Sequence, residues 1–238
     1  MLGFAALFAI DMVFAVLYIN YGYPKVTKLS FCYKMLASAV FVLNGAIAYG
    51  YSAGSPYAKT VVAGLVFGFV GDAFLAIDPF LNDRLREKKA IFGVIGAAFF
   101  FVGHILYIIA FVLEIRKEQA VRFPVFIIAW VLMLGSGIAV KIALKVKLGK
   151  FAVPVLIYAV ALVAMCSFGI CLALNRTGEP FTRFILIAGP LCFVFSDATI
   201  VLRMFYKDKY ETLPMRYANL LTYFISQMFF GISIMLIK

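Results

Sequence analysis

Three aspartates, Asp11, Asp72 and Asp197, stand well inside stretches that are otherwise almost wholly apolar, together with Lys34 and the single histidine, His104. An ionisable side chain held deep in a hydrocarbon layer costs at least ~2.5 kcal/mol on insertion scales, so such a group is either paired or functional. Two carboxyls sharing one low-dielectric site do not both ionise readily, and a proton-carrying acid beside an anion is the equipment of acid–base catalysis. The competing reading is structural: Asp72 and Asp197 hydrogen-bond across helices, or pair with Lys34. His104 reads as a hydrogen-bonded core residue or as a proton carrier. Lys34 either snorkels to the nearby interface or holds its charge inside. Asp11, on an apolar first helix, divides evenly between the structural and the functional reading.

The elements that must position these residues are set by composition. The 238 residues are 65% hydrophobic and only 14% charged, with a mean hydropathy of +1.04, against roughly 45–50% apolar in soluble domains. A bilayer core of about 30 Å takes about 20 apolar residues per helix. Hydropathy predicts an all-α, polytopic transmembrane helix bundle forming a single integral membrane domain, with eight spans near 2–20, 29–50, 60–80, 90–114, 123–144, 151–174, 184–205 and 217–237. The breaks coincide with Tyr23-Pro24, Gly54-Ser55-Pro56, the charged run from Asn82 to Lys89, Arg122-Phe123-Pro124, Lys147 to Lys150, Gly178-Glu179-Pro180 and Leu213-Pro214. The start, Met1-Leu2-Gly3-Phe4, lacks the basic segment of a signal peptide and reads as a retained first helix.

The net charge of +11 resides in short loops, where membrane orientation explains it and nucleic-acid binding does not. Thirteen Lys and Arg fall in the loops after the first, third, fifth and seventh spans and seven on the opposite side, which places both termini away from the cytosol. Asn175-Arg176-Thr177 is a formal glycosylation sequon on that outer side, pressed against a helix end. Cys32, Cys166, Cys171 and Cys192 lie in apolar spans and read as buried small hydrophobes. Without a CxxC pair, and with one histidine, they form no zinc set.

Counting inward from the cytosolic helix ends at about 1.5 Å per residue puts Asp72 and Asp197 both near about 12 Å, Asp11 near about 14 Å and His104 near about 21 Å. Lys34, Tyr158, Tyr223 and Gln227 fall in or close to the shallower layer. Gly64, Gly68 and Asp72 repeat every fourth residue, a stripe of small residues that lets membrane helices approach closely; Gly189, Phe193 and Asp197 form an equivalent stripe. Gly64 to Phe80 aligns with Gly189 to Phe205 without gaps, and Tyr33 with Tyr158 at the same offset, hinting at a four-plus-four internal repeat.

With these residues in place, the chain resembles the YhhN-like lysoplasmalogenase family of eight-helix membrane hydrolases from the second helix to the eighth. The marks are Gly64 to Leu75 around Gly71-Asp72, His104 to Phe111 including Tyr107, Tyr158 to Met165, Phe195-Ser196-Asp197 followed by Phe205, and Tyr223 to Gln227. The resemblance implies hydrolysis of the vinyl-ether bond of a lysoplasmalogen to a fatty aldehyde and a glycerophospho-base, by a protein of the endoplasmic reticulum membrane in animals. The family is distantly similar to zinc-dependent alkaline ceramidases, but the three-histidine site of those enzymes is missing here, so no metal or other cofactor is expected.

Vinyl ethers hydrolyse by proton transfer to carbon, giving an oxocarbenium ion that water captures; glycosidases meet a similar transition state with two carboxyls. Asp72 and Asp197 are the expected catalytic pair, with either as the acid. Lys34 is expected to bind the substrate phosphate, Tyr158 and Tyr223 to donate hydrogen bonds or face a choline cation, and Gln227 and His104 to complete the substrate site. The partner is a lysophospholipid within the bilayer. The alternatives are a transporter, a lipid-binding receptor, or a hydrolase of another lysolipid.

Overall fold

Long apolar runs closed by capping residues give seven long helices in the computed structural model, which describes residues 2–86, 88–117, 152–176 and 179–237 and isolated positions between 127 and 149. They are α1 (Leu2–Gly22), α2 (Lys28–Gly50), α3 (Pro56–Leu75), α4 (Lys89–Ile115), α5 (Ala152–Asn175), α6 (Pro180–Phe205) and α7 (Leu213–Leu236). All seven are long and apolar enough to cross a membrane, and the chain is a multi-pass membrane protein. Most of the span predicted near 123–144, and Thr177 of the sequon, lie outside the described residues.

Local chemistry fixes where the helices begin. Thr27 and Ser30 form a reciprocal capping box at the start of α2, each side chain accepting the other's backbone N–H at 3.0 and 2.8 Å. Ser55 caps α3 by accepting Ala58 N–H at 3.1 Å, with Pro56 in the first helical position. Thr212 does the same for α7, with Pro214 in its first turn. A proline there gives up a donor that no helix would use. Prolines read as breaks in the sequence thus open helices. This is why α3 starts at Pro56 and not near 60, and α7 at Leu213 and not near 217.

Consecutive long helices pack as neighbours, and α7 lies against α1, α2, α3 and α6 at once. It is therefore the element through which polar groups from several helices meet. Its C-terminal half is pinned by buried bonds, Tyr57 OH to Ser233 Oγ at 2.7 Å and Asn44 Nδ2 to the Met228 carbonyl at 3.1 Å. Cys166 and Cys171 are buried and Cys192 is partly so, but Cys32, expected to be buried, is exposed.

At the other end, Glu211 ties the α6–α7 connection together. Its carboxylate accepts from Arg203 Nε at 2.9 Å and from Arg216 Nε at 2.6 Å. Arg216 continues to the Gly22 carbonyl at 2.7 Å, joining α1 to the latch. Partial burial opposes ionisation of Glu211, but the bonds and charges of the two arginines outweigh it and hold the carboxyl below the usual glutamate range. A lowered folded-state value means that this latch stabilises the fold above the ordinary glutamate range and loses that contribution as pH falls through the folded value. Glu211→Gln is expected to melt earlier than wild type at neutral pH, with the gap closing on acidification. Parallel melting curves in detergent check it.

Candidate active site

Asp72 occupies the last full turn of α3, and the glycine stripe below it makes room for its partners. A Cβ on Gly68 would come within 2.6 Å of Gln227 Nε2, and one on Gly64 within 2.5 Å of the Tyr107 ring. The stripe is a seat for polar side chains of α4 and α7, beyond the close helix approach it suggests in sequence. Into this seat Lys34 brings its ammonium 2.9 Å from Asp72 Oδ1. Ser38, one turn further along α2, donates to Oδ2 at 2.6 Å, and Tyr223 donates to the same oxygen at 2.7 Å. Gln227 Nε2 donates to the Tyr223 oxygen at 3.1 Å, and Tyr107 donates to Gln227 Oε1 at 2.7 Å. Asp72 thus takes a cation and two hydroxyls while only 2% exposed, the environment of a fixed anion.

Asp197, on α6, has a sparser setting. Tyr158 of α5 donates to its Oδ2 at 2.7 Å, and His104 Nε2 of α4 stands 3.9 Å from the same oxygen. His104 Nδ1 donates to the Phe100 carbonyl one turn back. That bond assigns the proton to Nδ1 and leaves Nε2 an acceptor, buried and without a partner. A proton on Asp197 would supply the donor that this nitrogen lacks. The carboxyl keeps 12% side-chain exposure, more than Asp72.

The structure therefore brings the predicted residues into two clusters: Lys34, Asp72, Tyr223 and Gln227 in one, His104, Tyr158 and Asp197 in the other. Aromatic rings join them. Phe193 lies with its centroid 4.6 Å from the His104 ring and 5.6 Å from the Tyr223 ring, and Phe100 is 5.7 Å from Tyr223 and 6.4 Å from Phe193.

Three expectations change. Lys34 does not snorkel; it is 4% exposed and engaged by Asp72. His104 reaches Asp197, with its Nε2 3.9 Å from the carboxylate, although counting along the helices sets the two about 9 Å apart in depth. The repeat does not carry over to the bonding, since Tyr33 packs on Phe14 and Tyr21, whereas Tyr158 holds Asp197. Ser38 and Tyr107 had no role assigned in the sequence. The available signal was helical spacing, four residues from Lys34 and three from His104, which puts each on its neighbour's face. Asp11 is wholly buried, and neither carboxyl oxygen has a hydrogen-bond partner among the described residues.

Gly68→Ala is expected to push Gln227 out of its bonds to Tyr107 and Tyr223, costing about 1–3 kcal/mol as overpacking. Thermal unfolding of the variant beside Gly93→Ala, where an added Cβ meets nothing, measures it.

Among the described residues no three His, Cys, Asp or Glu side chains gather to hold a metal ion. What the arrangement offers is a fixed anion, a second carboxyl placed to carry a proton, and an aromatic partition between them.

A family model described as the YhhN family matches residues 26–234. The curated human protein lysoplasmalogenase TMEM86A (Homo sapiens) is 28% identical over 232 residues, covering 95% of this chain and 85% of that relative. No solved structure matches the chain.

Proposed function

The chain belongs to the YhhN family, and from that premise we propose that it hydrolyses the vinyl-ether bond of lysoplasmalogens, releasing a fatty aldehyde and a glycerophospho-base. The observation that carries the reading is the contrast between its two buried carboxyls: Asp72 receives Lys34, Ser38 and Tyr223, and Asp197 receives Tyr158 alone beside an unpartnered histidine nitrogen. In the scheme Asp197 is the acid and Asp72 the anion. The Asp197 O–H breaks as a C–H bond forms at the alkenyl carbon β to the ether oxygen. The π pair makes that bond, and positive charge spreads over the neighbouring carbon and the oxygen. Asp72 lowers the energy of that cation by its charge, and the faces of Phe193 and Phe100 add to it. Water adds to the cationic carbon and returns a proton to Asp197. Collapse of the hemiacetal, its hydroxyl proton passing to the glycerol oxygen, frees the aldehyde.

Tyr158 and His104 orient Asp197 in this scheme, and Tyr223 and Gln227 hold the geometry of Asp72. Lys34 acts on Asp72, since reaching a phosphate would break its 2.9 Å pair. The chemistry runs without a metal: the best-placed carboxylate is already matched by an ammonium, which a cation would have to displace. The bilayer supplies the lysophospholipid, and the same proposal places the chain in the endoplasmic reticulum membrane with both termini off the cytosol, following the excess of basic residues in alternate loops. Neither aspartate stands at a break inside its helix, since α3 continues from Asp72 to Leu75 and the proline inside α6, Pro190, lies well before Asp197, unlike the interrupted helices around transporter sites.

Purified protein given lysoplasmalogen beside its ester analogue is expected to release free aldehyde from the first and to leave the second intact. Ester cleavage without aldehyde would make it a hydrolase of another lysolipid, and absence of both products would defeat the hydrolase reading.

A further inference from the structure

Asp11 has no part in the scheme so far. Its side chain is fully buried, and both oxygens lack a hydrogen-bond partner among the described residues. A buried polar group without a partner is costly to keep, charged or neutral. The cost is offset if a ligand supplies the partner. Asp11 shares the inward face of α1 with Ala15 and Ile19, and α1 packs on α2 and α7, the helices that carry Lys34, Ser38 and Tyr223 to Asp72. α1 also borders the Asp72 cluster directly, with Lys34 Nζ 5.6 Å from the centroid of the Tyr18 ring. One turn back along the same face, Leu7 lines an apolar groove of about 510 Å³ with Gly3, Phe4, Ile47, Tyr51 and Met235, a volume within the usual range for small-molecule sites of about 300–1,000 Å³.

The chemistry of the missing partner follows from these neighbours. What Asp11 lacks is a hydrogen-bond partner for either oxygen, so its site suits an uncharged group that both donates and accepts. In a lysoplasmalogen with its vinyl ether at Asp72, that group is the free glycerol hydroxyl, on the carbon adjacent to the one bearing the ether oxygen. The head-group amine lies beyond the phosphate, many bonds further away. Resting on the hydrolase reading above, we propose that Asp11 binds this hydroxyl and thereby sets the preference for one-chain lipids over two-chain lipids. A lipid acylated at that oxygen brings no donor and leaves the carboxyl unpartnered, the situation in which a polar site discriminates most strongly.

The test compares lysoplasmalogen with its 2-deoxy analogue on the full chain. Wild type is expected to prefer the hydroxyl-bearing substrate in kcat/KM by on the order of 10- to 100-fold. Asp11→Leu, which removes the orphaned group, brings the ratio close to one, and Asp11→Asn, whose amide still bonds a hydroxyl, keeps a clear preference. A purely structural Asp11 would lower both rates together and leave the ratio alone. A wild type that treats the two analogues alike overturns the proposal whether or not any variant folds, as does Asp11→Leu with an unchanged ratio. Thermal stabilisation by the saturated 1-alkyl lysolipid against its 2-deoxy counterpart reads binding without turnover. Discrimination there with no aldehyde from any substrate would remove the hydrolase reading and keep Asp11 as the hydroxyl site; aldehyde release without discrimination would do the reverse.

Discussion

Asp72→Asn is expected to abolish aldehyde release and to weaken the fold at the same time. The substitution removes the charge that faces the developing cation, a loss on the order of 10³-fold in rate for an electrostatic group of this kind. It also strands the Lys34 ammonium, 4% exposed, without its counter-ion. Removing one partner of a buried ion pair costs about 3–5 kcal/mol, whereas replacing both by apolar groups of similar volume is often neutral or stabilising. The Lys34→Met, Asp72→Leu double variant is therefore expected to recover most of the lost stability and none of the turnover. Thermal unfolding and aldehyde release, measured on the same preparations, separate the two effects. Normal turnover in Asp72→Asn would remove Asp72 from the chemistry, and unchanged stability would mean that the pair does not hold Lys34 in place.

Asp197→Asn is expected to be equally inactive but nearly as stable as wild type. Among the described residues only Tyr158 donates to this carboxyl, and the carbonyl oxygen of an asparagine accepts the same bond. The stability change is held to about 1 kcal/mol, while loss of the acid lowers the rate by about 10²–10⁴-fold. Tyr158→Phe leaves the proton in place and loses only the orienting bond, so it falls between wild type and Asp197→Asn. The contrast between a destabilised Asp72 variant and a stable Asp197 variant reflects the difference between three donors and one. Turnover by Asp197→Asn at wild-type rates would shift the acid to another group.

Hydropathy and helix-breaking residues sufficed to locate seven spans, because in a bilayer the cost of exposed backbone leaves few alternatives to a helix. The ends were less legible. A proline after a serine or threonine cap starts a helix, as at Ser55-Pro56, while hydropathy registers only the end of an apolar window. Asp72, Asp197, Lys34 and His104 were visible as ionisable side chains out of place in apolar sequence, and each meets another polar group; Asp11 stood out equally and meets none among the described residues. Their grouping was not visible. Spacing along one helix says which face a residue takes but not the level at which a neighbour meets it, so the 3.9 Å approach of His104 to Asp197 could not be read from it. Ser38 and Tyr107 escaped notice because a hydroxyl costs too little in a membrane helix to stand out, unlike an aspartate. The aromatic partition was equally hidden, since Phe193 and Phe100 are two of 26 phenylalanines.

The claim on which the account depends is that Asp72 and Asp197 act on the same bond in the same step. Residues that act as one unit lose their effect together, so that removing the second does little once the first is gone. The measurement is the rate of aldehyde release from lysoplasmalogen by Asp72→Asn, Asp197→Asn and the double variant beside wild type. The account predicts that the double variant is no slower than the slower single. Losses that multiply would show two carboxyls working independently, and would contradict it.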